Sequence, residues 1–189
     1  MIPSLSEIVA GLYGALRLLR GDPDGLAFFD ASDDGFWKSF FAAVLAAPSY
    51  FAFAYFEPQA ADVGAARIVL VKAIAFVIVW TAFPLAMYHV TRALGRSDRY
   101  RLHIVAYNWA QAVQWTIAAP LLLGARHGGL LPAAAADLLG LAVILTFGIY
   151  EWFIARTALK LPGFGAVAVV LLSVLIALVM GDVGQALLR

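Results

Sequence analysis

The sequence contains no cysteine among its 189 residues. This absence excludes disulfide bonds, thiolate metal sites, cysteine nucleophiles and S-palmitoylation. It also leaves the redox compartment of the protein unspecified, because disulfides are the usual marker of an oxidising environment. Any chemistry of this chain must therefore depend on other side chains.

Charged residues are scarce as well. They make up 13% of the chain, whereas 63% of the residues are hydrophobic, and the mean hydropathy is +0.88. A soluble protein has about 25% charged and about 45–50% apolar residues. We therefore expect most of the chain to lie in a lipid bilayer as one membrane domain. The net charge is only +1 and no long basic run is present, so we expect no nucleic-acid partner.

Motifs of catalytic nucleophiles are missing. The chain has no G-x-S-x-G, no H-E-x-x-H and no P-loop. The fourth long apolar stretch contains two acids, Asp137 and Glu151, but about fourteen positions separate them, or about 21 Å of helix rise. They cannot form a carboxylate pair for acid–base catalysis. We expect a protein that is not an enzyme, with no cofactor and no bound metal.

Residues 1–20 are predicted to form an amphipathic interfacial helix that lies on the membrane or on neighbouring helices. Ser4 and Glu7 fit a capping box, and Arg17 and Arg20 suit the negative end of the helix dipole. Large apolar residues recur at helical spacing and form one stripe, which comprises Leu5, Ile8, Val9, Leu12, Leu16 and Leu19. The segment lacks the basic start of a signal peptide, so we expect insertion through the chain's own helices.

An acidic segment, 21–35, is predicted to be a hinge loop between that helix and the first span. Its aspartates are Asp22, Asp24, Asp30, Asp33 and Asp34. Pro23 and Gly25 interrupt the alternation of oxygen ligands in a calcium loop and indicate a turn. Ser32 and the last aspartates directly precede an apolar run, where they would cap a helix. The alternatives are a bound cation, or pairing with arginines of a later loop.

Five apolar stretches follow, each close to the roughly 20 residues that a transmembrane helix requires. The predicted spans are 36–56, 68–90, 103–124, 133–158 and 164–180, which together make up a membrane domain, 36–180. Residues 181–189 are predicted to be a short tail. The fold class is thus an all-α bundle of five transmembrane helices. We interpret Pro48, Pro84 and Pro120, inside the first three spans, as independent kinks or turns.

The distribution of lysine and arginine predicts the orientation of the chain. One side of the membrane would hold Arg17, Arg20, Lys38, Arg92, Arg96, Arg99, Arg101, Arg156 and Lys160. The other side would hold Arg67, Lys72, Arg126 and Arg189. This bias predicts a cytoplasmic N-terminus and an external C-terminus in the cytoplasmic (inner) membrane, and the alanine- and arginine-rich composition suits a bacterium. Trp37 and Trp152 lie at the predicted cytoplasmic interface.

Polar residues inside the third and fourth spans form a candidate polar pocket, because polar groups at membrane depth are costly and often functional. Its members are Asn108, Gln111, Gln114 and Glu151. One hypothesis is a pocket that opens to the cytoplasm. The alternative is hydrogen bonding that holds the two spans together, at about 0.6 kcal/mol per contact. A further alternative is an ion pair of Glu151 with Arg156 or with an arginine of the second loop, between the second and third spans.

A candidate docking surface combines the arginines of the second loop with the acidic segment. Its residues are Arg92, Arg96, Arg99, Arg101, Asp30, Asp33 and Asp34. Arginines near a membrane also set topology and attract anionic headgroups, at about 1 kcal/mol each. His89, His103 and Asp98 flank the same loop, but two histidines and one carboxylate across a loop are a weak metal signal.

The plan of the chain resembles the Yip domain family of small five-span membrane proteins. The resemblance covers residues 36–180 and includes the basic second loop leading into "YRLHIVAYNWAQAV" and the later "FIARTALKLPGFGAVAVVLL". Eukaryotic members have a D-L-Y-G-P type motif before the first span. The nearest match here, "DDGFW" at 33–37, lacks its Tyr and Pro. The resemblance therefore implies the membrane plan rather than binding to small GTPases.

These observations predict a non-catalytic, multi-pass membrane scaffold or accessory subunit. Its partners would be the lipid bilayer and another membrane protein, or a second copy of itself. The alternative function is a small oligomeric transporter or channel that uses the polar pocket. Five spans do not divide into equal inverted halves, which is unlike most carriers.

Overall fold

The structure is a computed structural model that describes residues 2–56, 63–129 and 131–188. It is all-helical in these ranges, with no strand. The helices are α1 (Leu5–Leu19), α2 (Asp33–Ser39), α3 (Phe41–Phe56), α4 (Ala65–Ala93), α5 (Tyr100–His127), α6 (Ala133–Ala158) and α7 (Gly163–Ala186). The predicted helical membrane class is confirmed in this coarse form. Helix α7 continues to Ala186 and so includes most of the segment predicted as a short tail.

Four segments within the described ranges are long and apolar enough to cross a membrane. They are Asp33–Phe56, which comprises α2 and α3, and the helices α4, α6 and α7. Each of the five predicted spans is helical, the first of them as α2 and α3, but the third, α5, is less hydrophobic than these four segments. Composition and length thus support four membrane-spanning helices.

Helix α5 lies at the centre of the bundle, which explains its polarity. It has twelve buried residues, whereas none of the other long helices has more than six. Helix α3 packs along one side of α5 and α6 along another, while α7 bridges α6 and α4. A helix that neighbours shield on most sides can carry amides and a histidine without presenting them to lipid.

The N-terminal region packs against the side of this bundle. Helix α1 begins with the predicted capping box, in which Ser4 Oγ accepts from the Glu7 amide at 3.3 Å and Glu7 Oε2 accepts from the Ser4 amide at 2.7 Å. Its glycine- and alanine-rich face contacts α5 and α6. Tyr150 of α6 donates a hydrogen bond to the Ala15 carbonyl at 2.6 Å.

The acidic segment is more ordered than a hinge loop. Residues Pro23–Phe28 form a 3-10 helix that folds back on α1, and α2 already begins at Asp33. The two backbones approach closely: a Cβ on Gly14 would lie 2.8 Å from the Gly25 carbonyl oxygen. The segment predicted as a hinge loop thus contains a helical turn, and two glycines let this turn pack flat on α1.

Turn and cap chemistry accounts for much of the acidic segment. Asp22 Oδ1 accepts from the Asp24 amide at 3.0 Å, and Asp30 Oδ1 accepts from the Ser32 amide at 2.9 Å. Ser32 is the N-cap of α2 and accepts from the Gly35 amide at 3.1 Å. Short polar side chains that bond to a nearby amide stabilise turns and helix starts in this way.

Candidate functional site

The predicted polar stripe of α5 divides between two environments. Asn108 lies near α2, where its Nδ2 donates to Ser39 Oγ at 2.9 Å. Gln111 faces α6, where its Nε2 donates to Glu151 Oε1 at 2.9 Å. The structure therefore brings Gln111 and Glu151 together as predicted, but it places Asn108 outside their hydrogen-bonded group.

The bond between Asn108 and Ser39 lies where the first predicted span is interrupted. Helix α2 ends at Ser39, and α3 begins at Phe41. Ser39 Oγ also donates to the Phe36 carbonyl at 2.7 Å, and both Ser39 and Asn108 are buried. Asn108 thus ties α5 to the junction between α2 and α3.

Glu151 is the centre of the remaining polar group. Its Oε1 accepts from Gln111 of α5, and its Oε2 accepts from Ser173 Oγ of α7 at 2.6 Å. One carboxylate of α6 therefore joins three helices. Arg156 does not pair with it, but lies 5.2 Å from the centre of the Trp152 ring.

The sequence interpretation missed Ser173. It is a polar residue within the apolar run "VLLSVLI" of α7, and its side chain is 8% exposed. The rule that a polar residue at membrane depth is a functional candidate would have selected it. A serine in a membrane helix can also bond to its own backbone, as Ser173 does to the Val170 carbonyl at 2.9 Å, which makes the sequence signal weak.

A cavity of about 380 Å³ opens beside Glu151, between α4, α5, α6 and α7. Its polar lining comprises Glu151, Ser173, Gln111, Gln114 and Tyr107. Aromatic and aliphatic side chains form the rest, among them Phe83, Trp115, Phe147, Val79 and Ile144. An apolar cavity with a few convergent polar groups is the usual form of a small-molecule site.

Gln114 contributes an unsatisfied polar group to this cavity. Its side chain is 6% exposed, and its Nε2 has no hydrogen-bond partner among the described residues. It lies near the Glu151 carboxylate. Because a buried amide donor without a well-placed acceptor is costly, this group can donate either to Glu151 or to a ligand in the cavity.

Two further cavities adjoin the first one. A cavity of about 200 Å³ lies between α3, α4, α5 and α7 and reaches Lys72, and another of about 220 Å³ lies between α3, α5 and α6. Trp115 lines all three. Its indole thus separates the Glu151 cavity from the spaces on either side of it.

The candidate docking surface is partly assembled. Arg101 pairs with Asp33 across the bundle end. Asp34 and Glu7 both pair with Lys38, each at 2.7 Å. The acidic segment therefore contacts one arginine of the second loop, and Lys38 of α2 supplies a basic partner that the prediction did not include.

The other members of that surface do not converge. Arg92 donates to the Tyr88 hydroxyl at 3.2 Å, and Arg99 lies 3.7 Å from Asp98 within its own loop. Asp30 accepts a hydrogen bond from the Ser32 amide within its own turn. For Arg96 no side-chain contact is shown within the described residues. The arginines thus form a loose basic rim rather than one pocket.

The acid of the capping box has a perturbed pKa. The hydrogen bond from Lys38, with a smaller contribution from Ser4, lowers the pKa of Glu7 from its ordinary value of 4.5 to about 2. A neighbouring pair behaves alike: the hydrogen bond between Arg17 and Asp22 raises the pKa of the arginine and lowers that of the aspartate. In both pairs the acid is ionised, and the ion pair holds the N-terminal region in its folded arrangement.

The histidines do not form a shared site. His103 is 1% exposed and lies near the rings of Phe83 and Tyr107, whereas His89 is exposed. Neither ring nitrogen of His103 has a hydrogen-bond partner in the described part of the chain. Within the described ranges, no three His, Asp or Glu residues are grouped closely enough to hold a metal ion.

Comparison with known proteins gives no match to a family model, to a curated protein or to a solved structure. The resemblance to the Yip domain family therefore stays a prediction. The site must be interpreted from its own geometry, in which the Glu151 cavity and the packed N-terminal region are the two features of interest.

Proposed function

We propose that this chain is a five-span membrane protein that acts as a non-catalytic scaffold or accessory subunit. In this proposal α5 is the third span. Its 28 residues would extend about 42 Å, which exceeds the roughly 30 Å hydrocarbon core of a bilayer. Packing against α3 and α6 compensates for its low hydropathy, because protein rather than lipid surrounds its polar side chains.

The proposed orientation has the N-terminus in the cytoplasm of a bacterium and the C-terminus outside the inner membrane. The charges support it, since the N-terminal region, the second loop and the end of α6 together carry nine of the thirteen lysines and arginines. Contacts at the two ends of the bundle are consistent with this distribution of basic residues. Arg101 meets Asp33 at one end, while Arg67 donates to the Leu187 carbonyl at 2.8 Å at the other.

The outward face of α1 is the observation that carries the scaffold proposal. Leu5 is 77% exposed and Val9 57% exposed, and Leu16 is exposed as well. The small residues Gly11 and Ala15 of the opposite face pack against the bundle. The apolar stripe of α1 is therefore only partly buried. Leu5, Val9 and Leu16 point away from the protein and are available to lipid.

We infer that α1 inserts this face into the cytoplasmic leaflet. Helix α1 packs beside the membrane-spanning helices rather than on a separate domain. Arg20 is exposed at its end, where a cation attracts anionic headgroups. An amphipathic helix that occupies one leaflet organises lipid and is sensitive to curvature. The protein would thus act on the bilayer and on membrane proteins gathered beside it, or associate with itself.

The test compares the protein with a Leu5→Ser/Val9→Ser/Leu16→Ser variant. Both are extracted from native membranes into nanodiscs, and mass spectrometry identifies the bound lipids and proteins. We expect the intact protein to retain anionic lipid together with a second copy or a stoichiometric membrane partner, and the variant to lose them. A Leu5→Met/Val9→Ile/Leu16→Met variant controls for sequence change. Loss in both variants, or an intact protein without lipid or partner, contradicts the proposal.

A second candidate function, a small oligomeric transporter or channel, is favoured by the cavities that meet at Trp115. A carboxylate at membrane depth beside a series of adjoining cavities is a feature of solute and proton pathways. In proteoliposomes, this function predicts flux of protons or small cations that Glu151→Gln abolishes. Asp137→Asn is the matched control, because Asp137 is an exposed acid of the same helix. Flux that persists in Glu151→Gln would exclude this pathway.

A further inference from the structure

We propose that the cavity beside Glu151 binds a small organic cation, an ammonium that carries alkyl groups and a hydroxyl. This proposal deepens the second candidate function by naming its ligand class. It concerns binding, however, which can be measured whether or not transport occurs.

The single carboxylate of the site favours a cation. The Glu151 carboxylate accepts hydrogen bonds from the neutral groups Gln111 and Ser173. Within the described residues, no lysine, arginine or histidine pairs with it. A carboxyl group held away from water either takes up a proton or is stabilised as a carboxylate by an opposite charge. A bound cation in the adjoining cavity supplies that charge.

The walls of the cavity favour an organic cation over a metal ion. The aromatic residues Tyr107, Trp115 and Phe147 line it, and the faces of such rings attract ammonium groups with apolar substituents. Calcium and magnesium instead require about six or more oxygen ligands, which this lining does not provide. The volume, about 380 Å³, lies within the range of small-molecule sites.

Gln114 specifies a second feature of the ligand. Its Nε2 lines the cavity without a partner among the described residues, so it can donate to an oxygen of the ligand. A hydroxyl two or three bonds from the cationic nitrogen would accept this bond while the nitrogen lies near Glu151. The site thus distinguishes a hydroxylated ammonium from a simple alkylammonium.

Choline is a suitable probe because it combines these features, and 3,3-dimethylbutan-1-ol is its neutral isostere. Equilibrium dialysis of the full chain in nanodiscs would measure both. We expect saturable binding of choline, no competition by the neutral alcohol, and at least about tenfold weaker binding of choline in Glu151→Gln. Asp137→Asn should bind like the unmodified protein. Gln114→Leu should weaken choline more than tetramethylammonium, which has no hydroxyl.

The proposal fails if the alcohol competes as well as choline, if Glu151→Gln binds choline unchanged, or if the unmodified protein binds no choline at millimolar concentration. Sodium that binds at Glu151 and excludes choline would also overturn it, in favour of an inorganic cation. Glu151→Asp, which keeps the charge, controls for misfolding and should retain part of the binding. Choline binding without flux would refute transport and leave this site intact, so the two failures are distinguishable.

Discussion

Helical spacing explains why the amides of α5 serve different purposes. Asn108 and Gln114 are six positions apart, and at about 100° per residue their side chains point roughly 120° away from each other. Gln111 lies between them. The spacing thus places the three amides in one broad polar sector of α5. Asn108 binds to Ser39 of α2, whereas Gln111 and Gln114 line the cavity.

We predict that Asn108 contributes to stability and not to ligand binding. In a double-mutant cycle, Asn108→Ala and Ser39→Ala should show a coupling of about 0.6 kcal/mol in the free energy of unfolding, because such hydrogen bonds between membrane helices are weak. Reversible unfolding in mixed micelles measures this coupling. Additive effects of the two substitutions, or a change in choline binding in Asn108→Ala, would count against the assignment.

Glycine at the contact between α1 and α5 determines how the N-terminal region docks. A Cβ on Gly11 would overlap the ring of Trp109. The ring atoms involved lie at the fusion of the indole, so a small shift of a flexible tip cannot relieve the contact. Small residues on this face thus allow α1 to approach the bundle and leave its large apolar residues outside.

We predict that Gly11→Ala destabilises the docked α1 by about 1–3 kcal/mol, the usual cost of overpacking. Hydrogen exchange of the α1 amides measures the docking. Gly124→Ala is the control, because a Cβ there meets no other group and alanine is favoured over glycine in a helix. Protection of α1 that is equal in the two variants would show that the approach of Trp109 is unimportant.

The contact between Glu7 and Lys38 makes the docking of α1 dependent on pH. Since the pKa of Glu7 is lowered from 4.5 to about 2 when docked, the contact contributes fully above about pH 4.5. The contact is lost as the pH falls from 4.5 towards 2, because Glu7 takes up a proton in this range and its charge no longer attracts Lys38. The lowered pKa of Asp22 has the same pH dependence, but its contact with Arg17 joins α1 to the following turn and not to the bundle.

We therefore predict that α1 separates from the bundle in this acidic range. Because the chain has no native cysteine, spin labels at Val9→Cys and Ser97→Cys would report the distance between α1 and the second loop. The distance distribution should broaden between pH 4.5 and 2, and Glu7→Gln should be broad already at pH 7. Asp24→Asn, which changes an exposed carboxylate outside this contact, should behave like the unmodified protein. An unchanged distribution at pH 2 would disprove the prediction.

At the scale of the whole molecule, the position of α5 depends on what surrounds it. Four segments are apolar enough to face lipid, and many of their large side chains are exposed in the isolated bundle. Helix α5 is the most buried of the long helices although it is not the most apolar. The proposed five-span topology therefore rests on packing, which a hydropathy measure does not include.

Cysteine labelling tests this topology directly. We predict that Ser97→Cys is modified by a membrane-impermeant maleimide only from the cytoplasmic side and Leu131→Cys only from outside, because α5 connects them across the membrane in the proposed topology. Ile2→Cys and Leu187→Cys, both at exposed positions, should report the cytoplasmic and external sides. Labelling of positions 97 and 131 from the same side would mean that α5 does not cross.

Composition and periodicity were sufficient for the helical membrane class, for the capping box of Ser4 and Glu7 and for the contact of Gln111 with Glu151. These features are local, or follow from the cost of polar groups at membrane depth. The partners of Asn108, the role of Ser173 and the outward face of α1 depend on how the helices rotate against each other. A rotation of one or two residues changes the face that each helix buries, and packing of Gly11 on Trp109 sets that rotation for α1. The local pattern of apolar and polar residues does not give this rotation, because it depends on contacts between residues far apart in the chain.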